Sequence, residues 1–160
     1  MAWEIEPCGD LESFAHRFRE IIFAAVSLAN VQDFDCEVLD ESGIPSWFSA
    51  VMGSGGNEQI EIPSEVLLGV DNYREIRDEN RWDLQEWLFC FDPDLRRWRW
   101  WDLTTPDGRV AYLWIDTRGE PVVACEELYW AAFSAGAREV RTVLQPPPES
   151  WNSQGSLGIL

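Results

Sequence analysis

The sequence predicts an α+β fold: an N-terminal helix, a central antiparallel meander sheet, a C-terminal helix and an edge strand. Three observations carry it. Residues 10–29 repeat apolar side chains every three or four positions, and residues 86–124 alternate short apolar runs with Pro, Asp and Gly turns. A second apolar helical stretch then precedes a last apolar run, and this order of elements is that of an α+β domain.

In the first helix Asp10 is the candidate N-cap, and Leu11, Phe14, Phe18, Ile21, Ile22, Ala25 and Val26 form the buried stripe. Residues 31–65 read as weak strands: Cys36 to Leu39, Trp47 to Met52, and Gln59 to Ile62 before Pro63. A flexible Gly53–Asn57 loop lies between the last two. A helix from Asn72 to about Trp82 follows, with a solvated charged face. The meander comprises Trp87 to Phe91, Arg97 to Leu103, Val110 to Asp116 and Pro121 to Ala124. Its turns are Asp92-Pro93-Asp94, Thr104–Gly108 and Thr117-Arg118-Gly119. Glu126 to about Ala135 is the last helix, Gly136 its left-handed stop, and Val140 to Leu144 the edge strand.

The 160 residues suit one domain over 1–144, and Pro146-Pro147-Pro148 opens a flexible tail over 145–160. Hydrophobic residues make up 46%, with ten Trp and eight Phe, so the core is aromatic. Cys8, Cys36, Cys90 and Cys125 form no CxxC pair and read as reduced, small buried hydrophobes. The start of the chain resembles no signal peptide, and no apolar run approaches the ~18 residues of a membrane span. A cytoplasmic protein without membrane contact is expected.

Charge narrows the function classes. There are 29 Asp and Glu against 12 basic residues, a formal charge of −17, and every basic residue is Arg. Without Lys there is no Schiff base and no P-loop lysine. A field this negative disfavours nucleic acid and favours a basic protein partner. Residues 1–95 hold 21 acids and 5 bases, residues 96–160 hold 8 and 7. The acid is therefore concentrated in one half.

Little points to catalysis. The single His16 sits beside a core stripe, no zinc spacing exists, and neither a Walker nor a GxGxxG motif occurs. No cofactor, metal or enzyme activity is expected. The carboxylate pairs Asp33/Asp35, Asp40/Glu41, Asp78/Glu79 and Asp92/Asp94 read as surface charge, and Glu126/Glu127 suit a helix N-terminus. In the meander Trp98 and Trp100 share one face, as do Tyr112 and Trp114. That face is either covered by a helix or loop, or it is an exposed aromatic platform.

The run Tyr112–Ile115, Pro121-Val122-Val123, Glu127–Phe133 and Ala135–Val140 resembles the C-terminal part of bacterial polymorphic-toxin immunity proteins of the deaminase-inhibitor type. The acidic, Trp-rich character and Ile62-Pro63-Ser64-Glu65-Val66 are similar to the SUKH immunity superfamily. The family's following Asn-Gly-Gly is absent, and Gly55-Gly56 stands before the motif instead. These resemblances imply an immunity protein that neutralises a cognate toxin. The expected surface comprises Asp33, Asp35, Glu37, Asp40, Glu41, Asp78, Glu79, Asp92 and Asp94, with Trp98 or Trp100 as anchor. A general SUKH-like interaction domain and a carboxylate-dependent hydrolase remain the alternatives.

Overall fold

The computed structural model describes residues 1–53, 60–77, 82–120, 123, 125–143 and 153–158, with the side chains of Trp100 and Trp101 outside the description. The fold is α+β. Its elements run β1 (Ala2–Pro7), α1 (Leu11–Ala29), α2 (Ser46–Val51), α3 (Ser64–Arg77), α4 (Leu84–Phe89), β2 (Arg99–Thr105), β3 (Ala111–Asp116), α5 (Glu126–Ser134), β4 (Ala137–Val143) and β5 (Gly155–Ser156). The sheet order is β4-β1-β3-β2-β5, and every neighbouring pair is antiparallel.

The sheet is built around β1, which the sequence reading left out. Trp3 and Ile5 alternate with Glu4 and Glu6, so the strand has one apolar and one polar face. Ile5 lies opposite both Ala111 and Val140, and Trp3 opposite Leu113, all on the core side. On the other side Glu4 accepts from Tyr112 Oη at 2.6 Å and pairs with Arg141 at 3.4 Å. Bonds between Met1 and Ile115 extend the ladder by one residue.

α1 forms as expected. Asp10 Oδ2 accepts from Ser13 N at 2.8 Å, and Phe14, Phe18, Ile21, Ile22 and Ala25 are fully buried. Each such Phe or Ile contributes about 1.5–3 kcal/mol. Arg17 Nε donates to Ala135 O at 2.8 Å, holding the end of α5 against α1. Gly136 takes φ 103°, and β4 leaves the helix there to return along the edge beside β1.

Five expectations are corrected. Trp87 to Phe91 is not a strand. Asp83 caps a helix there, accepting from Gln85 N and Glu86 N, and Leu84, Trp87, Leu88 and Phe91 are buried at helical spacing. Trp47 to Met52 is likewise helical: Pro45 O accepts the first amides, and Phe48, Val51 and Met52 are buried three and four apart. Cys36 to Leu39 is a turn, and α3 begins at Ser64, eight residues ahead of Asn72. Cys36 is exposed rather than a buried hydrophobe.

Of the Gln59–Ile62 run, residues 60–62 form no strand and Gln59 is outside the described residues, as are Pro121, Val122 and Ala124 of the fourth meander strand. Of the expected tail, 145–152 and 159–160 are also outside them. Residues 153–158 return to β2: Thr104 and Thr105 pair with Ser156 and Gly155, and Leu157 N donates to Leu103 O at 2.7 Å.

α3 crosses α5 at Gly69, where an added Cβ would stand 2.0 Å from Phe133 O. Substitution Gly69→Ala should gain up to ~1 kcal/mol of helix propensity. Overpacking at this crossing outweighs it, by ~1–3 kcal/mol or more. The variant is expected to unfold at lower urea than the wild type, and a raised midpoint would refute the close crossing.

Candidate protein-binding surface

Residues 30–45 connect α1 to α2 without regular structure, yet the segment is tied down along its length. Leu39 is its anchor: the side chain is buried, and Gln85 of α4 bonds both backbone groups. Gln85 Oε1 accepts from Leu39 N at 2.9 Å, and Nε2 donates to Leu39 O at 3.1 Å and to Glu41 Oε1 at 2.6 Å. Upstream, Phe34 packs edge-on to Phe89 of α4 with centroids 6.1 Å apart.

Short acids then fold the chain back on itself. Asp33 Oδ1 accepts from Asp35 N, and Asp40 accepts from both the amide and hydroxyl of Ser42. The Ser42 amide and hydroxyl hold Asp40 below the usual carboxylate range. Beyond α4, Asp92 Oδ1 takes Asp94 N at 2.9 Å in the same way. Asp33, Asp40 and Asp92 are thus preset in direction.

Asp33, Asp35, Glu37 and Asp40 are exposed, and Glu41 is half-buried beside Gln85. Asp92 and Asp94 lie in the turn that ends α4, on the helix that Phe34 packs against. None of these seven acids makes an ion pair among the described residues. The pairs found there belong to Asp71, Glu126, Asp107, Glu6, Glu4 and Glu139. No Arg or His occurs between Arg19 and Arg74, so the chain around the segment has no cation to offer. Asp78, Glu79 and the Trp100 side chain are outside the described residues.

Trp98 is corrected. It is 1% exposed, packs on Phe91 at 5.7 Å, and donates its Nε1 to Glu127 Oε1, so it cannot anchor a partner. Trp114 is also buried, its Nε1 on Thr104 Oγ1 at 2.8 Å. With both indoles buried, the exposed four-ring platform does not form.

The apolar contribution comes from residues the sequence reading passed over. A groove of about 450 Å³ lies between the last turns of α1 and the 40–45 turn. Phe23, Ala24, Leu28, Val31 and Pro45 line it, with Glu20 and Asp40 among the lining side chains. Phe23 is 62% and Val31 82% exposed. Trp47 Nε1 fixes Glu20 Oε2 at 3.1 Å. Phe23 had one available signal: it falls on the polar side of the α1 stripe.

Glu127 is the other residue missed. It lies in the first turn of α5, the helix N-terminus expected for it, and is also buried, at 7% exposed. Its backbone oxygen accepts Trp87 Nε1 at 2.9 Å while its side chain accepts Trp98 Nε1. Burial pushes its carboxyl above the usual range. His16 is exposed, and among the described residues no three His, Cys, Asp or Glu side chains assemble as a metal site.

No family model, curated protein or solved structure matches this chain. Among the described residues, no helix is long and apolar enough to cross a membrane.

Substitution Gln85→Ala removes both Leu39 backbone bonds and should lower stability by ~1–3 kcal/mol. Hydrogen exchange at the Leu39 amide is the specific readout, and unchanged protection would show that Gln85 does not hold the segment. Glu127 supplies a pH test. Its raised native pKa means the native state holds the proton more tightly than the unfolded chain. Its favourable contribution is complete below the ordinary value of 4.5 and is lost as pH rises through the raised one. Glu127→Gln, which can still accept from Trp98, should therefore gain on the wild type in urea midpoint as pH climbs from about 4.5. A constant gap would mean that Glu127 titrates normally.

Proposed function

We propose that this chain is an immunity-type inhibitor that binds and neutralises a basic bacterial toxin in the cytoplasm. The supporting observation is the pairing of an open apolar groove with ordered carboxylates that no cation neutralises among the described residues. Solubility alone would be served by acids anywhere. Around exposed Phe23 and Val31 they make a surface for a Lys or Arg side chain, its stem on the groove wall and its head at Asp40.

Steering explains the excess. Surface acids raise the rate of encounter with a basic protein by long-range attraction, while buried contacts set the lifetime of the complex. An inhibitor that must capture a toxin made in the same cell gains from a fast encounter. The preset acids also reduce the ordering entropy lost on docking.

Co-expression with the product of the adjacent upstream gene tests the reading. Rescue from a toxic neighbour, and a complex that weakens with salt, would support it. A non-toxic neighbour that forms no complex would leave a general interaction domain. With a partner in hand, the combined Asp33→Arg, Asp35→Arg and Asp40→Arg variant should slow association roughly tenfold or more at low salt, with dissociation changed far less. Phe23→Ala should do the reverse, speeding dissociation. Association rates unaffected by the triple reversal would remove steering from the account.

A further inference from the structure

The arginines divide into two populations. Arg74, Arg77, Arg109, Arg138 and Arg141 are ion-paired. Arg17, Arg19, Arg96, Arg97, Arg99 and Arg118 are not, among the described residues, and Arg17 bonds the Ala135 carbonyl instead. In a chain of charge −17 the scarce cations are the ones expected to find partners. Of these six, Arg96, Arg97, Arg99 and Arg118 are grouped at the turn after α4 and the facing ends of β2 and β3, where they form a cluster of positive charge.

Arg96 is the inner member. Its Nε is buried and has no hydrogen-bond partner, and its guanidinium lies 5.0 Å from the Trp98 ring centroid. A buried N–H left without an acceptor is unfavourable, because it has lost its water partner and gained none. Burial, then Arg118 and Arg99, depress the Arg96 pKa, so these neighbours are near enough to repel it. The nearby acid is Glu127, which is engaged by Trp98 and itself disfavoured as an anion by burial. Glu127 offsets the burial and the repulsion at the arginine only in part.

A pocket of about 410 Å³ opens beside it, within the range that small ligands occupy. Phe89, Leu95, Trp98 and Val123 supply apolar walls, with Arg96, Arg97 and Glu127 among the polar lining. Leu95 is 73% exposed at this site. Cys90, also in the lining, is held as a thiol by burial, its pKa pushed up to about 11, so it adds wall rather than a nucleophile.

We propose that this pocket binds a small organic acid, a carboxylate or a phosphate monoester, through its anionic head on Arg96 and its apolar body against Phe89, Leu95 and Val123. The anion accepts from the Arg96 guanidinium in the two-bond geometry that this group offers to planar or tetrahedral oxyanions. Arg97, Arg99 and Arg118 add field without needing contact. The site does not depend on the acid loop, so it stands or falls apart from the inhibitor reading.

The test is an NMR titration of the arginine Nε–Hε resonances of the full chain at constant ionic strength. The probes are benzoate, phenyl phosphate and inorganic phosphate. One phenyl-bearing acid should shift the Arg96 signal saturably, with affinity roughly tenfold or more above inorganic phosphate. Whichever of the two binds more tightly identifies the head group. Followed at the Arg97 Nε–Hε signal and at the probe's own resonances, binding should vanish in Arg96→Gln, weaken in Leu95→Asp at the exposed wall, and persist in Arg109→Gln. No saturation with either phenyl acid would overturn the proposal. So would equal binding of inorganic phosphate, or unchanged phenyl-acid binding in both the Arg96→Gln and Leu95→Asp variants.

Discussion

Indole rings placed in a core bring an N–H that must find an acceptor, and here two fully buried indoles find theirs on one residue. Trp87 donates to the backbone oxygen of Glu127 and Trp98 to its carboxylate. Burying an ionisable carboxyl is unfavourable unless such donors meet it, and removing one partner of an arrangement like this strands the other. The consequence is positional. Phe48, Trp87, Phe91 and Trp98 form a continuous stack with successive centroids 4.8, 4.6 and 5.7 Å apart. It runs from α2 through α4 to the start of β2 and is fixed to the first turn of α5 by Glu127. Both candidate sites hang on that stack, the acid segment through Gln85 of α4 and the arginine pocket through Trp98.

The charges sort themselves by the same framework. Where the sheet brings strands together, acids and arginines meet: Glu4, Glu6 and Glu139 with Arg138 and Arg141. Such exposed pairs add little stability each, but they consume cations in a chain that has few. What remains is segregated. Carboxylates of the 30–45 segment stand on one flank of α4, and Arg96, Arg97, Arg99 and Arg118 gather beyond its end. A protein with this arrangement has a directional field, which orients an approaching charged partner as well as attracting it.

The sequence disclosed elements whose own periodicity was decisive. α1, α5 and the β2–β3 hairpin announce themselves through a stripe, an apolar block before Gly136, and Pro-Asp-Gly turn chemistry. α4 was misread because five apolar residues in a row fit period 2 and period 3.6 equally. The discriminating signal lay upstream, in the Asp83 cap and in Leu84 one turn before Leu88. β1 carried its alternation openly in Trp3, Glu4, Ile5 and Glu6. Its central place depends on pairing with strands more than a hundred residues away, which local pattern cannot convey. The candidate surface was legible as charge and not as shape. The acids stand out in composition, whereas the groove exists only where the 40–45 turn comes beside the last turns of α1. Trp98 was misassigned for the same reason, since its partner Glu127 lies 29 residues away.

α4 also fixes how the two sites relate. Gln85 stands in its first turn and Cys90 just past its last. A helix of six residues spans about 9 Å, close to the Debye length at physiological ionic strength. Charges at its two ends are therefore incompletely screened from one another. An anion held at Arg96 would cancel positive charge beyond the helix and leave the nearby carboxylates, Asp92 and Asp94 in the same turn and the 30–45 segment along the helix, in a more uniformly negative surrounding. Its effect on a basic partner would be electrostatic attraction at a distance, requiring no movement of α4. That coupling is weak by the standards of allostery, and its sign follows from Coulomb's law alone: occupancy of the arginine pocket favours the basic partner.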